Sequence, residues 1–512
     1  MLELRDITLR LKREDRTLAE NFSFTLKKGD KAVLIGEEGN GKSTLLKYVF
    51  DPGSVEDYCE GEGSVIARGR LAYLPQSMDA DLVPLSLKAY FESVEHYLHP
   101  EILVQLGIDP SFLRSSQTLG SLSGGEKVKA QLCRLLMEEP DILLLDEPTN
   151  DLDLDTLLWL ERFLQETRLP VMFISHDETL IENTANVIIH MEQLIRKTRC
   201  RITVSRESYR EYLDRRRRQM DHQGQIAQKQ RDDYRRQQQR WQQIYDRVDH
   251  EQRSLSRQDP HSGRLLKKKM HAVISTGKRL EREKTDFLDF PEEEEAILTR
   301  FDADIRIPSG KTVLDWSLDF LRAGDRVLAR DLRLFLAGSG AVGIIGQNGA
   351  GKTTFLRCLW EELRHRKDIT AAYMPQDYRE VLDYTQTPVE HLAASYAKEE
   401  ITRARTCLGS MRFTHEEMLS PIGKLSGGQR AKLLFLDMVL QRANVLLLDE
   451  PTRNFSPLSA PVVRRALRDY GGAVISISHD RKYLTEVCGS LYMLRADGLF
   501  PVDLTETYSQ SG

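Results

Sequence analysis

The strongest constraint on the fold of this chain is a pattern that it carries twice. GEEGNGKST occupies Gly36–Thr44 and GQNGAGKTT occupies Gly346–Thr354, both of the form G-x-x-x-x-G-K-[ST]. The glycines of such a loop let successive backbone N–H groups wrap a phosphate, and the helix that starts there adds its positive dipole end. Each copy follows a short apolar strand signal, KAVLIG or AVGIIG, as the motif requires. Lys42 and Lys352 supply point charge for the β- and γ-phosphates of a nucleotide, and Ser43 and Thr353 offer a hydroxyl to Mg²⁺. The candidate phosphate contacts are therefore Gly36, Gly39, Asn40, Gly41, Lys42, Ser43 and Thr44, and in the second copy Gly346, Asn348, Gly349, Ala350, Gly351, Lys352, Thr353 and Thr354.

The rest of each half repeats in register. Gln76 in LAYLPQ, LSGGE at Leu122–Glu126, Asp146–Glu147 closing ILLLDE and His176 in FISHD match Gln376 in AAYMPQ, LSGGQ at Leu425–Gln429, Asp449–Glu450 closing VLLLDE and His479 in ISISHD. The last three pairs are each separated by the same 303 residues, so the chain is a tandem duplication of two complete α/β domains rather than a short-period solenoid. ILLLDE and VLLLDE read as central parallel strands buried on both faces. Each delivers an Asp able to hold Mg²⁺ (Asp146, Asp449) and a Glu able to polarise an attacking water (Glu147, Glu450). Caps on the following turn would be the bland use of these carboxylates. His176 and His479, each after an apolar strand, are expected to contact the γ-phosphate and position that water.

Between the repeats lies a segment that belongs to neither. Ser205–Thr285 holds 22 Lys and Arg against 12 Asp and Glu, a net +10 in a chain whose total is −5. Leu213, Met220, Ala227, Tyr234, Trp241 and Val248 recur every seven residues, and Leu266, Met270, Val273, Gly277 and Leu280 follow in four-three steps. Two helices in an antiparallel hairpin are expected, reversing within Arg253–Gly263 where Pro260 and Gly263 act as helix breakers. A solvated spacer with no partner is the plain alternative. The expected domains are 1–204, a basic helical hairpin over 205–291, and 292–512, with PEEEE at Pro291–Glu295 marking the second boundary before the strand-like ILTRFDADIRI.

Six scattered cysteines without a C-x-x-C pair argue against zinc and for a reducing compartment. The N-terminus MLELRDITLRL alternates like a strand and lacks the plan of a signal peptide, and no apolar run is long enough to span a bilayer. A cytoplasmic protein without a membrane partner is expected.

On these motifs the chain resembles the ATP-binding cassette proteins of family F (ABC-F), over nearly its whole length. The resemblance implies two tandem cassette-type P-loop ATPase domains in one monomeric chain, with ATP and Mg²⁺ as cofactors. It implies that Ser123, Gly124, Gly125 and Glu126, and Ser426, Gly427, Gly428 and Gln429, bind the γ-phosphate of the nucleotide held by the opposite cassette. One composite site would combine Lys42, Gln76, Glu147 and His176 with Ser426–Gln429, and the other Lys352, Gln376, Glu450 and His479 with Ser123–Glu126. Ser43, Gln76 and Asp146, with Thr353, Gln376 and Asp449, would face the magnesium ions.

In that family the interdomain hairpin is the functional tool, so a rod entering the ribosome toward the peptidyl-transferase centre, on rRNA and tRNA phosphates, is implied. Gln76 to Leu122 spans 46 residues and Gln376 to Leu425 spans 49, leaving no room for a large extra arm. This compact plan, with DEPTRNFSPLS in the second cassette, resembles the branch that protects ribosomes from large-subunit antibiotics. A general translation factor of the same family and the ATPase subunit of a transporter are the alternatives. A DNA-repair or chromosome-organising ATPase would insert far longer coiled coils, or a zinc module, inside a cassette.

Two departures from the family pattern stand out. Arg13, and in the second half Arg322, Ala323 and Gly324, occupy the region where relatives place an adenine-stacking ring, so GTP use is open alongside ATP. Asn454 and Ser456 stand opposite Asp151 and Asp153, which points to two sites of unequal rate.

Overall fold

The computed structural model describes residues 1–13, 16–92, 94, 100–150, 152–194, 199–254, 260–285, 287, 305–393 and 397–503. The chain divides into two compact units, one of Met1–Tyr209 with Glu294–Gly512 and one of Arg210–Glu293.

The larger unit contains both repeats. In the first, a six-stranded sheet runs in the order Leu71–Leu74, Ile142–Asp146, Val171–Ile174, Lys31–Ile35, Val187–Leu194, Arg199–Ser205. All neighbours pair in parallel except the last two, which are antiparallel. The second repeat copies this order with Ala371–Met374, Val445–Asp449, Ala473–Ile477, Ala341–Ile345, Ser490–Arg495 and Gly498–Val502. KAVLI, ILLLD and VLLLD are buried at every position, which explains their unbroken apolar character: a parallel strand covered on both faces has no polar side to show. Antiparallel strands pack beside each sheet, Leu2–Leu11 between Arg16–Leu26 and Cys59–Ala67 in the first repeat, and Thr312–Ala323 with Arg326–Ala337 in the second.

The parallel register brings the C-terminal ends of the central strands to one edge. Ile35, Asp146, Ile174 and their counterparts Ile345, Asp449, Ile477 all end there, so the phosphate loops, the Asp-Glu pairs and the histidines emerge side by side. The two repeats are also packed on each other. Leu154 of the first lies in an apolar cluster built otherwise from the second, and the Tyr209 hydroxyl donates to the Pro457 carbonyl at 3.1 Å.

The smaller unit holds a pair of helices, Tyr209–Ser254, whose first residue belongs to the larger unit, and Pro260–Thr285. At 1.5 Å per residue the first is about 69 Å long. Trp241 donates its indole N–H to the Val273 carbonyl at 2.8 Å, and a Cβ on Gly277 would lie 2.9 Å from the Trp241 ring. Tyr234, nearer the start of the first helix, meets Phe287 edge to face, so the helices run antiparallel as the seam implies. Gly277 is thus the notch that accepts the indole, while Ala227, Val248, Leu266 and Leu280 are buried.

The expected reversal is shorter than Arg253–Gly263. The first helix continues to Ser254 and the second begins at Pro260 and runs through Gly263, so Gly263 breaks nothing. Proline at a first helical position has no hydrogen bond to lose and its fixed φ suits the helix. Leu255 and Arg257, within the expected reversal, lie outside the described residues, as do Asp151, Pro291–Glu295 and most of ILTRFDADIRI. Among the described residues no helix is long and apolar enough to cross a membrane.

Candidate active sites

Each phosphate loop is shaped by backbone that only glycine adopts freely. Gly41 and Gly351 stand in the left-handed region (φ 90° and 97°) as N-caps of the helices Lys42–Phe50 and Lys352–Leu363. A Cβ on Gly36 would fall 2.2 Å from the Met191 carbonyl oxygen, so the loop can lie against the neighbouring strand only without one. Lys42 is buried and donates to the Gly36 and Glu37 carbonyls at 2.8 and 3.1 Å; Lys352 repeats this on Gly346 and Gln347 at 2.7 and 3.0 Å. Both ammonium groups are held inside their loops, where a bound phosphate would meet them.

Beside each loop stands a hydroxyl–carboxylate pair. Ser43 Oγ donates to Asp146 Oδ1 at 2.8 Å, and Tyr73 donates to the other oxygen at 3.0 Å. Burial raises the pKa of both Asp146 and Asp449; hydrogen bonds from Ser43 and Tyr73, or from Thr353, work against it. Asp449 Oδ2 is buried without a hydrogen-bond partner. A hydroxyl and a carboxylate, with a buried oxygen still to satisfy, fit a hard cation that takes oxygen ligands, and Mg²⁺ suits this donor set. Tyr73 was not legible as a site residue, although the strand alternation of LAYL places it next to the Asp146 strand.

The glutamates follow immediately, and both take a strained backbone: Glu147 has φ 49° and Glu450 has φ 54°. Left-handed non-glycine residues persist where surrounding structure over-determines them, often at functional positions. His176 Nε2 lies 2.9 Å from Glu147 Oε1, and His479 Nε2 lies 3.6 Å from Glu450 Oε1.

The repeats complete one another's edges. A cavity of about 560 Å³ is lined by Lys352, Thr353, Gln376, Asp449, Glu450 and His479 from the second repeat and by Gly124, Asn150, His176 and Asp177 from the first. Across the other junction, Gly428 N–H donates to Glu38 Oε2, and His176 Nδ1 is 2.8 Å from the Phe455 carbonyl oxygen. Each phosphate loop therefore faces the glycine-rich turn of the opposite repeat. In those turns Ser123 and Glu126, and likewise Ser426 and Gln429, form capping boxes, so the Glu126 and Gln429 side chains accept at their own helix starts, and the Gln429 amide also donates to Glu417 at 2.6 Å.

A family model described as "ABC transporter" matches residues 19–150 and 329–453, just over half of the chain. The chain belongs to the ABC transporter family. A putative ATP-binding protein of Bacillus subtilis, YdiF, is 27% identical over 92% of this chain and 76% of its own length. Human ATP-binding cassette sub-family F member 3 is 28% identical over 96% of this chain and 71% of its own, which supports the ABC-F expectation. Among solved structures, an archaeal ribosome recycling factor, aABCE1, in complex with ribosomal stalk protein aP1 is similar with a TM-score of 0.58 at 17% identity, covering 99% of this chain and 91% of that one. At that identity the likeness shows the fold.

This ABC protein binds and hydrolyses ATP, and its two glutamate–histidine edges differ. Burial alone would lower the His176 pKa, but the Glu147 carboxylate, by charge and hydrogen bond, outweighs it and raises it. With acceptors on both ring nitrogens, His176 favours the imidazolium. His479 is pushed down to about 3 by burial and by the Lys352 ammonium, and its Nδ1 is buried without a hydrogen-bond partner. Glu450 is driven well above its ordinary value by burial and by the neighbouring Asp449 charge, so both members of this pair tend to neutrality. No Phe, Tyr or Trp is among the described residues lining the cavity at Lys352; Ala323 and Leu328 stand on that wall.

The His479 shift carries a signed consequence. Unfolded, its imidazole takes a proton near pH 6.5; folded, it resists doing so until about 3. The contribution is complete above 6.5 and is lost as pH falls from 6.5 toward 3. Between pH 7 and pH 5 the wild type should lose about 2 kcal/mol that His479→Gln does not lose. Thermal midpoints of the two proteins at both pH values check this, and equal pH dependence would place the ring in water.

Proposed function

We propose that this chain is a cytoplasmic ribosome-associated ATPase whose basic hairpin reaches into the ribosome toward the peptidyl-transferase centre and protects it from large-subunit antibiotics. The observation that carries the reading is the net +10 of Ser205–Thr285, set between two ATPase cassettes in a chain of net charge −5. Lys and Arg along a rod give salt-sensitive affinity for rRNA and tRNA phosphates. Further support comes from proteins of the same fold: a ribosome recycling factor in complex with a ribosomal stalk protein, and ABCE1 with Pelota bound to the ribosome. Lys267, Lys268 and Lys269 are exposed on the second helix.

In each cassette, the loop N–H groups and Lys42 or Lys352 bind and orient the triphosphate. Glu147 and Glu450 accept a proton from the attacking water, and His176 and His479 hold that water in line. Ser43 and Asp146, or Thr353 and Asp449, with Gln76 or Gln376 facing the ion, would hold Mg²⁺, which would neutralise charge on the phosphate oxygens. Ser426–Gln429 and Ser123–Glu126 close each site from the opposite cassette, within one monomeric chain. With Ala323 in place of a ring, base selection is weak and GTP also serves as substrate.

Replacing Lys267, Lys268 and Lys269 by Glu should weaken ribosome co-sedimentation by more than tenfold at about 0.15 M salt, reduce its salt dependence and leave basal ATPase unchanged. Equal binding at every salt concentration would make these lysines a solvated face. Expression in a susceptible bacterium should raise resistance to a large-subunit antibiotic. Ribosome binding without any gain of resistance across a drug panel would indicate a general translation factor, and membrane association a transporter subunit.

A further inference from the structure

The phosphate loop of the first cassette carries two acids, Glu37 and Glu38, where the second has Gln347 and Asn348. Both reach across to the second cassette. Glu37 Oε1 accepts from Ser456 Oγ at 2.8 Å and from Ser459 Oγ. At the other junction the acid sits on the opposite partner: Asp153, which corresponds to Ser456, accepts from the backbone N–H of Asn348. One carboxylate has changed sides between the two junctions, and the polar bridge is kept in each.

Glu38 is different, because its carboxylate lies on the start of the helix Gly427–Leu440. Oε2 accepts the Gly428 N–H, and a Cβ on Gly427 would lie only 3.0 Å from that same oxygen. A Cβ on Gly428 would meet the Asn454 carbonyl oxygen at 2.8 Å. The two glycines thus open a seat in which an anionic oxygen meets the N–H groups and positive end of a helix, and the oxygen in that seat belongs to Glu38.

We infer that Glu38 is an internal competitor for the γ-phosphate at the site built on Lys42. A triphosphate can be gripped by Gly428 only when Glu38 has left, and its own negative charge must then tolerate two carboxylates on the loop. The Lys42 site therefore discriminates against triphosphate relative to the Lys352 site, where Asn348 is neutral. The inference rests on the pairing of Lys42 with Ser426–Gln429 proposed above.

The test is made in full-length protein carrying Lys352→Ala, which silences the second loop. Binding of fluorescent methylanthraniloyl-ATP and methylanthraniloyl-ADP with Mg²⁺ is measured with Glu38, with Glu38→Gln and with Glu38→Asn. Both variants should tighten the ATP analogue about tenfold, equivalent to about 1.4 kcal/mol, and the ADP analogue less than about threefold. Adding Lys42→Ala should abolish the signal; persistence would show that the probe is bound elsewhere and would sink the site pairing itself. If Lys42→Ala abolishes binding but the Glu38 variants leave the ATP-to-ADP ratio unchanged, or tighten both analogues equally, Glu38 does not compete for the γ-phosphate seat.

Discussion

Glu147→Gln combined with Glu450→Gln should cut ATP turnover by about 100-fold to 10,000-fold while nucleotide still binds, the range spanned by loss of a positioned general base. Glutamine keeps the shape and the left-handed backbone that both glutamates already adopt, so the phosphate loops should be undisturbed. Burial and the neighbouring Asp449 charge already favour the neutral form of Glu450, so a neutral glutamine there introduces no uncompensated buried charge. The thermal midpoint should accordingly stay level or rise. ATP hydrolysis assays, nucleotide binding and thermal unfolding on one preparation separate the possibilities: wild-type turnover would remove these glutamates from the chemistry, and a lowered midpoint would make the loss one of folding.

The parts of these sites that the sequence displays are those fixed by local backbone. Gly36–Thr44, Asp146–Glu147 and His176 each sit at the end of one apolar strand, and the parallel order brings them together once the strands are recognised. The turns Leu122–Glu126 and Leu425–Gln429 are legible too, although the capping duty of Glu126 and Gln429 appears only in three dimensions. What could not be read is what crosses between cassettes. The Glu38–Gly428 bond joins residues 390 apart, and the Ser456–Glu37 bond joins residues 419 apart. A sequence signal for it did exist: the second cassette has Ser456 where the first has Asp153, while the first loop has Glu37 and Glu38 where the second has Gln347 and Asn348, a reciprocal difference that makes sense if the two segments touch. The unequal histidines were likewise hidden, because identical S-H-D motifs give a close contact at Glu147 and a looser one at Glu450.

The largest effect on stability is expected at Arg464. This guanidinium is almost wholly buried and reaches across the cassette boundary to Glu178, with contacts of 2.6 and 3.2 Å, while its Nε donates to Glu486 at 3.0 Å. Alongside it Arg481 pairs with Glu161 at 2.6 Å, and Lys482 with Glu178 at 3.1 Å and with Glu182. The signs are segregated: across this seam the first cassette presents acids and the second presents bases. Glu178 and Arg481 occupy matching positions after the two S-H-D motifs, so two copies of the first cassette placed in the same way would set acid against acid. The duplication has thus diverged to favour pairing of unlike halves, at the cost of burying charges that must remain paired. Arg464→Ala should destabilise the protein by about 3–5 kcal/mol, because Glu178 stays buried with only Lys482 to balance it. Thermal unfolding should report a drop of about 3–6 °C. Arg464→Met with Glu178→Met should recover most of that loss, since an apolar pair removes the stranded charge along with its partner. A double variant no more stable than Arg464→Ala would mean that the guanidinium acts through packing, and a single variant with an unchanged midpoint would mean that the seam carries no weight in holding the cassettes together.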